Sequence, residues 1–246
     1  MKIFCFILIS CCMYTCKAAL AGLLPENTRV IYNSSESSRS FIVVNKNHYP
    51  VLVQAWVDDG AGDPNTKQAP FLINPPVFKM QSGAVQVLKI IYTGEKQDTD
   101  QESQFWLNLY EVPGKSSVFT GSNTDNQLDL TMQTQLKLFY RPKKVPKMDL
   151  QAVAAQLKFS FKTIDGQQYL ISENPSAYFI SFSEITLRSD QHSIPVQANL
   201  EQMLAPKSRQ VYPIDHIPDQ MKQIDFSLIG DDGFAYSFKY LYYKFK

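Results

Sequence analysis

Leu128-Asp129-Leu130-Thr131-Met132-Gln133-Thr134-Gln135-Leu136-Lys137-Leu138 sets an apolar residue or Thr134 at every second position, with polar residues between. Period two is the repeat of a strand, whose successive side chains leave opposite faces of a sheet. A helix of the same composition would scatter these leucines around its circumference. The stretch therefore reads as a long β-strand, and it decides the fold class if the same period recurs along the chain.

It does recur. Val51, Val53, Ala55 and Val57 alternate with Leu52, Gln54 and Trp56, and Phe234, Tyr236, Phe238, Tyr240 and Tyr242 fall on one face of a final strand. Further short strands are predicted over residues 157–163, 169–172, 177–187 and 224–229. Asn, Gly, Pro and Asp clusters separate them, the pattern of a β-sandwich. Asn74-Pro75-Pro76 predicts a fixed corner, with a cis bond open to one of its prolines. Helical spacing is nearly absent; Val196, Leu200 and Leu204 alone suit a short helix. At Arg141-Pro142-Lys143-Lys144-Val145-Pro146-Lys147 the alternation gives way to prolines and bases, which reads as a connection between domains. Two sandwich domains follow, residues 22–145 and 146–246, each near the roughly 100 residues such a domain needs.

The N-terminus reads differently. Lys2 precedes an apolar run to Tyr14, and Cys16-Lys17-Ala18-Ala19-Leu20-Ala21-Gly22 offers small residues at cleavage spacing. That is a secretory signal over residues 1–21, cut after Ala21 or, as second choice, after Ala18. The run is shorter than the roughly 20 residues a spanning helix requires, so no membrane insertion is expected of the mature chain. All four cysteines, Cys5, Cys11, Cys12 and Cys16, lie in this leader. The mature chain is expected to hold together by burial without disulfides.

Few chemistries remain open. The formal net charge is +1 and no basic run interleaves with aromatics, so nothing points to nucleic acid. His48, His192 and His216 are scattered, without ligand spacing or a nucleophile beside them, and Gly-rich phosphate loops are missing. No metal or other cofactor is expected. Asp58-Asp59-Gly60-Ala61-Gly62-Asp63 lacks the alternating ligands and closing Glu of a calcium loop and reads as a solvated hairpin loop. The acidic residues between 95 and 102 read as an exposed connection. The chain is expected to bind and not to catalyse.

Taken alone, the opening strand would be half of a sandwich core. Two features pull the other way. The segment before it, residues 114–127, is polar and flexible in composition, leaving the first half of the strand without an obvious partner, and Lys137 falls where a cleft between the domains would lie. A lysine there could hold a carboxylate.

At this point Thr134-Gln135-Leu136-Lys137-Leu138-Phe139-Tyr140-Arg141-Pro142 resembles the signature of the PapD-like periplasmic pilus chaperones. Other matches follow in order: Thr28-Arg29, Gln54-Ala55-Trp56, Pro75-Pro76-Val77, Glu102-Ser103 before Phe105, Asn108-Leu109 with Glu111-Val112-Pro113, Glu173-Asn174-Pro175, Leu204 with Pro206, and Gly230-Asp231. The resemblance spans essentially the whole mature chain.

The resemblance implies an all-β protein of two immunoglobulin-like β-sandwich domains set at an angle with a cleft between them, exported to the periplasm. It implies a chaperone that lends a strand to pilin or fimbrial subunits and delivers them to an outer-membrane usher. Leu128, Leu130 and Met132 would be the lent side chains. Arg29 and Lys137 would anchor the C-terminal carboxylate of the subunit. Glu102, Arg141 and Asp231 match an interdomain ion-pair network. Free protein is expected to self-associate through the same strand. Two departures stand out: the family's common second-domain disulfide is missing, and the loop before the strand is long but lacks a continuous apolar run, which favours the short-loop class. A secreted immunoglobulin-like structural or adhesive subunit is the rival, opposed by the shortness of residues 22–27 as an N-terminal extension.

Overall fold

The structure is a computed structural model. It describes residues 22–64, 69–94, 99–114, 130–190, 192–196, 203–218 and 220–242. The leader, the loop at 115–129 and Leu128 lie outside them.

The first half folds into two facing sheets. Strands β1 (Leu23–Pro25), β3 (Arg39–Asn45), β7 (Val85–Tyr92) and β5 (Phe71–Asn74) form one, in the order β1-β3-β7-β5. Strands β2 (Arg29–Asn33), β9 (Met132–Arg141), β8 (Ser103–Pro113), β4 (Val51–Asp58) and β6 (Val77–Met80) form the other, in the order β2-β9-β8-β4-β6. Alternation supplies the core between them: Phe41, Val43, Val51, Val53, Leu88, Ile90, Leu107, Leu109 and Leu138 are buried there. The corner at Asn74-Pro75 carries a cis peptide bond and passes the chain from one sheet to the other.

The second half repeats the plan around its own core of Leu170, Phe182, Leu187, Ile224 and Leu228. Strands β10 (Lys158–Ile164), β11 (Gln167–Asn174) and β15 (Ser208–Ile214) face a sheet ordered β13-β12-β16-β17, with β13 (Ser193–Pro195), β12 (Ile180–Arg188), β16 (Gln223–Ile229) and β17 (Ala235–Leu241); β14 (Met203–Leu204) pairs with β12. No repeat is visible in the sequence, yet one device is shared. Asn45 closes β3, its Nδ2 donating to the carbonyls of Tyr49, Met80 and Gln81 at 3.0, 3.3 and 3.1 Å. Asn174 closes β11 and donates to Tyr178, Leu204 and Ala205 at 2.7, 3.4 and 2.9 Å. In each domain one buried amide satisfies carbonyls at a strand end and in the loops beside it.

Four expectations need correction. Leu204 lies in β14 and not in a helix; residues 197–202 of the expected helix are outside the described set. Among the described residues the helix is α1 (Leu150–Ala154), in the connection between domains, where Asp149 caps it by accepting from Ala152 N at 2.7 Å. The loop after β4 is no hairpin, because β4 and β5 belong to different sheets, and it is not solvated throughout, because Asp58 is 1% exposed. On the last strand, Phe238 and Tyr240 pack against the core, but Phe234 precedes β17 and is 69% exposed, and Tyr236 is exposed too. On this edge strand Tyr240 meets Phe159 of the facing sheet, ring centroids 5.2 Å apart, whereas Phe234 and Tyr236 lie toward the turn at Gly230–Gly233.

Candidate functional site

Strand β9 has a partner on both sides for only part of its length. β8 pairs with it from Met132 to Tyr140. β2 runs parallel on the other side and pairs only from Arg29↔Lys137 to Asn33↔Arg141. Among the described residues, 132–136 thus present an open edge. The cause is upstream: the chain before Arg29 has gone to the other sheet, where β1 pairs with β3 and Glu26 N donates to Ile42 O at 2.9 Å.

Burial follows the partner. Leu138 is 0% and Leu136 6% exposed, whereas Met132 is 51% exposed and Leu130, two residues before the strand, 65%. An open edge flanked by bare apolar side chains is a template for another strand.

The other face of β9 carries charge. Arg29 and Lys137 are ladder neighbours on the parallel strands. The Arg29 guanidinium is buried over the Phe139 ring, 5.8 Å from its centroid; one Nη donates to Ile229 O at 3.0 Å and the Nε has no partner. The Lys137 ammonium stands 6.0 Å from the Trp106 ring centroid, with no carboxylate paired to it among the described residues. Burial, and then the charge of Arg29, hold the Lys137 ammonium below the ordinary lysine value. Burial likewise lowers Arg29, against the pull of Asp231, Asp232 and Glu102. Two half-desolvated cations with donors to spare have the chemistry that can satisfy a carboxylate.

Next to them the domains are tied together. Arg141 Nε donates to Glu102 Oε1 at 2.7 Å, while its two terminal nitrogens donate to Asp231 at 2.9 and 3.1 Å. Glu102 also accepts from Phe179 N at 2.8 Å, and its own N–H donates to Ala177 O at 2.9 Å. Burial pushes the Glu102 carboxyl above the ordinary range, with Arg141 and the Phe179 N–H pulling against it. Arg141 is itself desolvated, but the hydrogen bonds and charges of Asp231 and Glu102 outweigh that and raise it. A cavity of about 170 Å³ opens between the domains, lined by Arg29, Phe139, Arg141, Tyr178, Ile229 and Asp231 among others.

The residues singled out from sequence therefore gather into three groups: Leu130 and Met132 beside the open edge, Arg29 with Lys137, and Glu102 with Arg141 and Asp231. Leu128 lies outside the described residues. Glu102 does not belong to an exposed connection; it is buried, and Asp100 beside it pairs with Lys207 at 2.5 Å across the domains. Sequence reading gave no role to Trp106, Asn108 or Gln133 and took Asp58 for part of a solvated loop, yet the four brace this face of β9; a buried Asp58 two residues after Trp56 has no local pattern that marks it.

Residues 22–146 match the family model described as pili and flagellar-assembly chaperone, PapD N-terminal domain, and residues 152–239 match that of the pili assembly chaperone PapD, C-terminal domain. The chain is 32% identical over 233 residues to the probable fimbrial chaperone YadV of Escherichia coli K12, covering 91% of this chain and 93% of that one. It is 37% identical over 174 residues to the chaperone protein FimB/FhaD of Bordetella pertussis, covering 68% of each. Among solved structures, the YadV chaperone superimposes with a TM-score of 0.72 at 29% identity, covering 89% of this chain and 99% of that one. The SafB chaperone of Salmonella enterica, solved in complex with SafA pilin, gives 0.72 at 26% identity, covering 92% and 99%.

Proposed function

The chain belongs to the PapD family of pilus-assembly chaperones, and from that premise we propose that it captures fimbrial subunits in the periplasm by lending them the first part of β9. The observation that carries this reading is the open edge at residues 132–136, flanked by exposed Leu130 and Met132 and leading directly into Lys137. A subunit whose sandwich lacks a strand would pair its backbone with that edge and take Leu128, Leu130 and Met132 into its groove. Each such side chain is worth roughly 1.5–3 kcal/mol when fully buried, before ordering costs.

Arg29 and Lys137 receive the subunit's C-terminal carboxylate in this scheme. Charge-assisted bonds to one fixed anion set the register, and register decides which apolar side chain meets which pocket. Glu102, Arg141 and Asp231 hold the second domain at its angle so that the carboxylate site stays formed. Residues 1–21 act as a cleaved export signal, residues 22–145 as the subunit-binding domain and residues 146–246 as its companion. The loaded complex passes its subunit to an outer-membrane usher. In free protein the same edge supports self-association, which subunits displace. The role is binding, without turnover.

The test is co-expression with the pilin of its own gene cluster and purification from the periplasm. Wild type should yield a one-to-one complex, and Lys137→Ala should lose it while keeping its melting temperature. Equal capture by the two would remove the anchor from the scheme.

A further inference from the structure

Among the described residues the lending part of β9 has no strand on one edge, and until Leu136 it is only shallowly covered; strands held on one side fray more readily. Beyond the β8 ladder on its other edge, its further holds lie on its outer face. There Gln133 Nε2 donates to Gly62 O and to Asn108 Oδ1, both at 2.9 Å, and Gln135 Nε2 donates to the same Asn108 oxygen at 2.9 Å. Asn108 is wholly buried on β8, so it is a fixed post.

Gly62 is fixed as well. The buried Asp58 carboxylate accepts from Gly60 N and Gly62 N, each at 2.9 Å, and from Trp56 Nε1 at 3.1 Å, folding the loop after β4 back over the sheet. A Cβ on Gly62, at φ +69, would come within 3.1 Å of Gln135 Nε2 and 3.3 Å of Gln133 Nε2. A Cβ on Gly60 would come within 3.1 Å of Trp106 Nε1, and Trp106 is the ring over which Lys137 stands. One loop therefore braces both the lending segment and the seat of the anchoring lysine.

We propose that the Asp58 loop, with Gln133 and Asn108, is a clamp that keeps residues 132–136 extended in the unloaded chaperone, so that Gln133 is a positioning residue for capture. The inference rests on the strand-lending reading above. An ordered edge is ready for a partner, whereas a frayed one must be ordered during the encounter, which lowers the rate of association. In the complex the subunit would hold the strand from its other side, leaving the clamp little to add.

Hydrogen exchange of the full mature chain, without any client, tests the clamp directly. Gln133→Met keeps the size and loses the donor; Gln133→Lys keeps a donor within reach of the Gly62 carbonyl. Amides over 132–136 should exchange about 5- to 150-fold faster in Gln133→Met, the range that two net hydrogen bonds carry, with melting unchanged. Gln133→Lys should restore protection. Capture of the pilin from its own gene cluster should slow by a similar factor in Gln133→Met, with dissociation unaltered. Unchanged exchange in Gln133→Met, or slower capture matched by faster dissociation, overturns the clamp. Wild type that captures no pilin would instead defeat the strand-lending reading, and the exchange result would still judge the clamp.

Discussion

Leu130-Thr131-Met132 and Leu136-Lys137-Leu138 share one alternation of apolar with polar residues, and they live in different surroundings. Leu138, Phe139 and Tyr140 are buried between β2 and β8, whereas Met132 at the start of the strand and Leu130 just before it stand bare. What separates them is the point at which β2 begins, five residues into the strand. Alternation specifies that a segment will be β and which face is apolar. Whether that face is used within the chain is decided by a neighbour a hundred residues away. An apolar first half paired with β8 alone, and not with β2, then keeps one edge free for another strand.

Truncation should separate the halves most sharply. Leu138→Ala removes a fully buried side chain from the core and should cost about 2–5 kcal/mol in chemical denaturation. Leu130→Ala, at 65% exposure, should stay within about 0.5 kcal/mol. In capture the order should reverse, with Leu130→Ala losing affinity although the free protein is as stable as wild type. Comparable destabilisation by both would mean that the first half is core after all.

A smaller and more specific effect concerns pH. Lys137 is held low in the free protein by burial and by Arg29, and a bound carboxylate would raise it again. The complex then binds more protons than its free partners in the window between the depressed and the restored value. Affinity should accordingly fall as pH rises through the depressed lysine value, by up to about tenfold per unit for one proton. The subunit carboxylate, ordinarily near 3.5, stays ionised throughout. Binding measured calorimetrically in buffers of different ionisation enthalpy would report the proton uptake. Affinity indifferent to alkaline pH would show that Lys137 is not the group that meets the anion.

Part of this was legible beforehand, for local reasons. Period two in 128–138 and in 51–57 marks strands because side-chain direction is a local property, and the proline corner at 74–76 likewise. The open edge is not local, since it depends on the sheet switch at residues 26–28, which no period records. The juxtaposition of Arg29 and Lys137 emerged only from resemblance, because two cations a hundred residues apart carry no mutual signal. Asp58 was misjudged for the opposite reason: a run of Asp and Gly looks solvated by composition, yet one carboxylate that accepts three N–H groups is better buried than exposed. Helix α1 was missed although Asp149 before Leu-Gln-Ala is an ordinary cap signal, because prolines and lysines upstream had already marked the segment as a linker.

The smallest effect tests what holds the buried half. Arg141 ends β9, and its carboxylate partners differ: the Glu102 side chain is 2% exposed and that of Asp231 61%. An ion pair reaching into solvent contributes about 0–1 kcal/mol and is screened by salt. If the second half of β9 owes its order to β2 and to its own core, Asp231→Asn should leave the melting of the first domain nearly unchanged. It should reduce only the coupling between the two domains, seen as a slight separation of their calorimetric transitions that closes with added salt in wild type as well. A loss of several kcal/mol would mean that the neighbouring domain, and not the partner strand, distinguishes the two halves. The contrast between them would then depend on the angle at which the second domain is held.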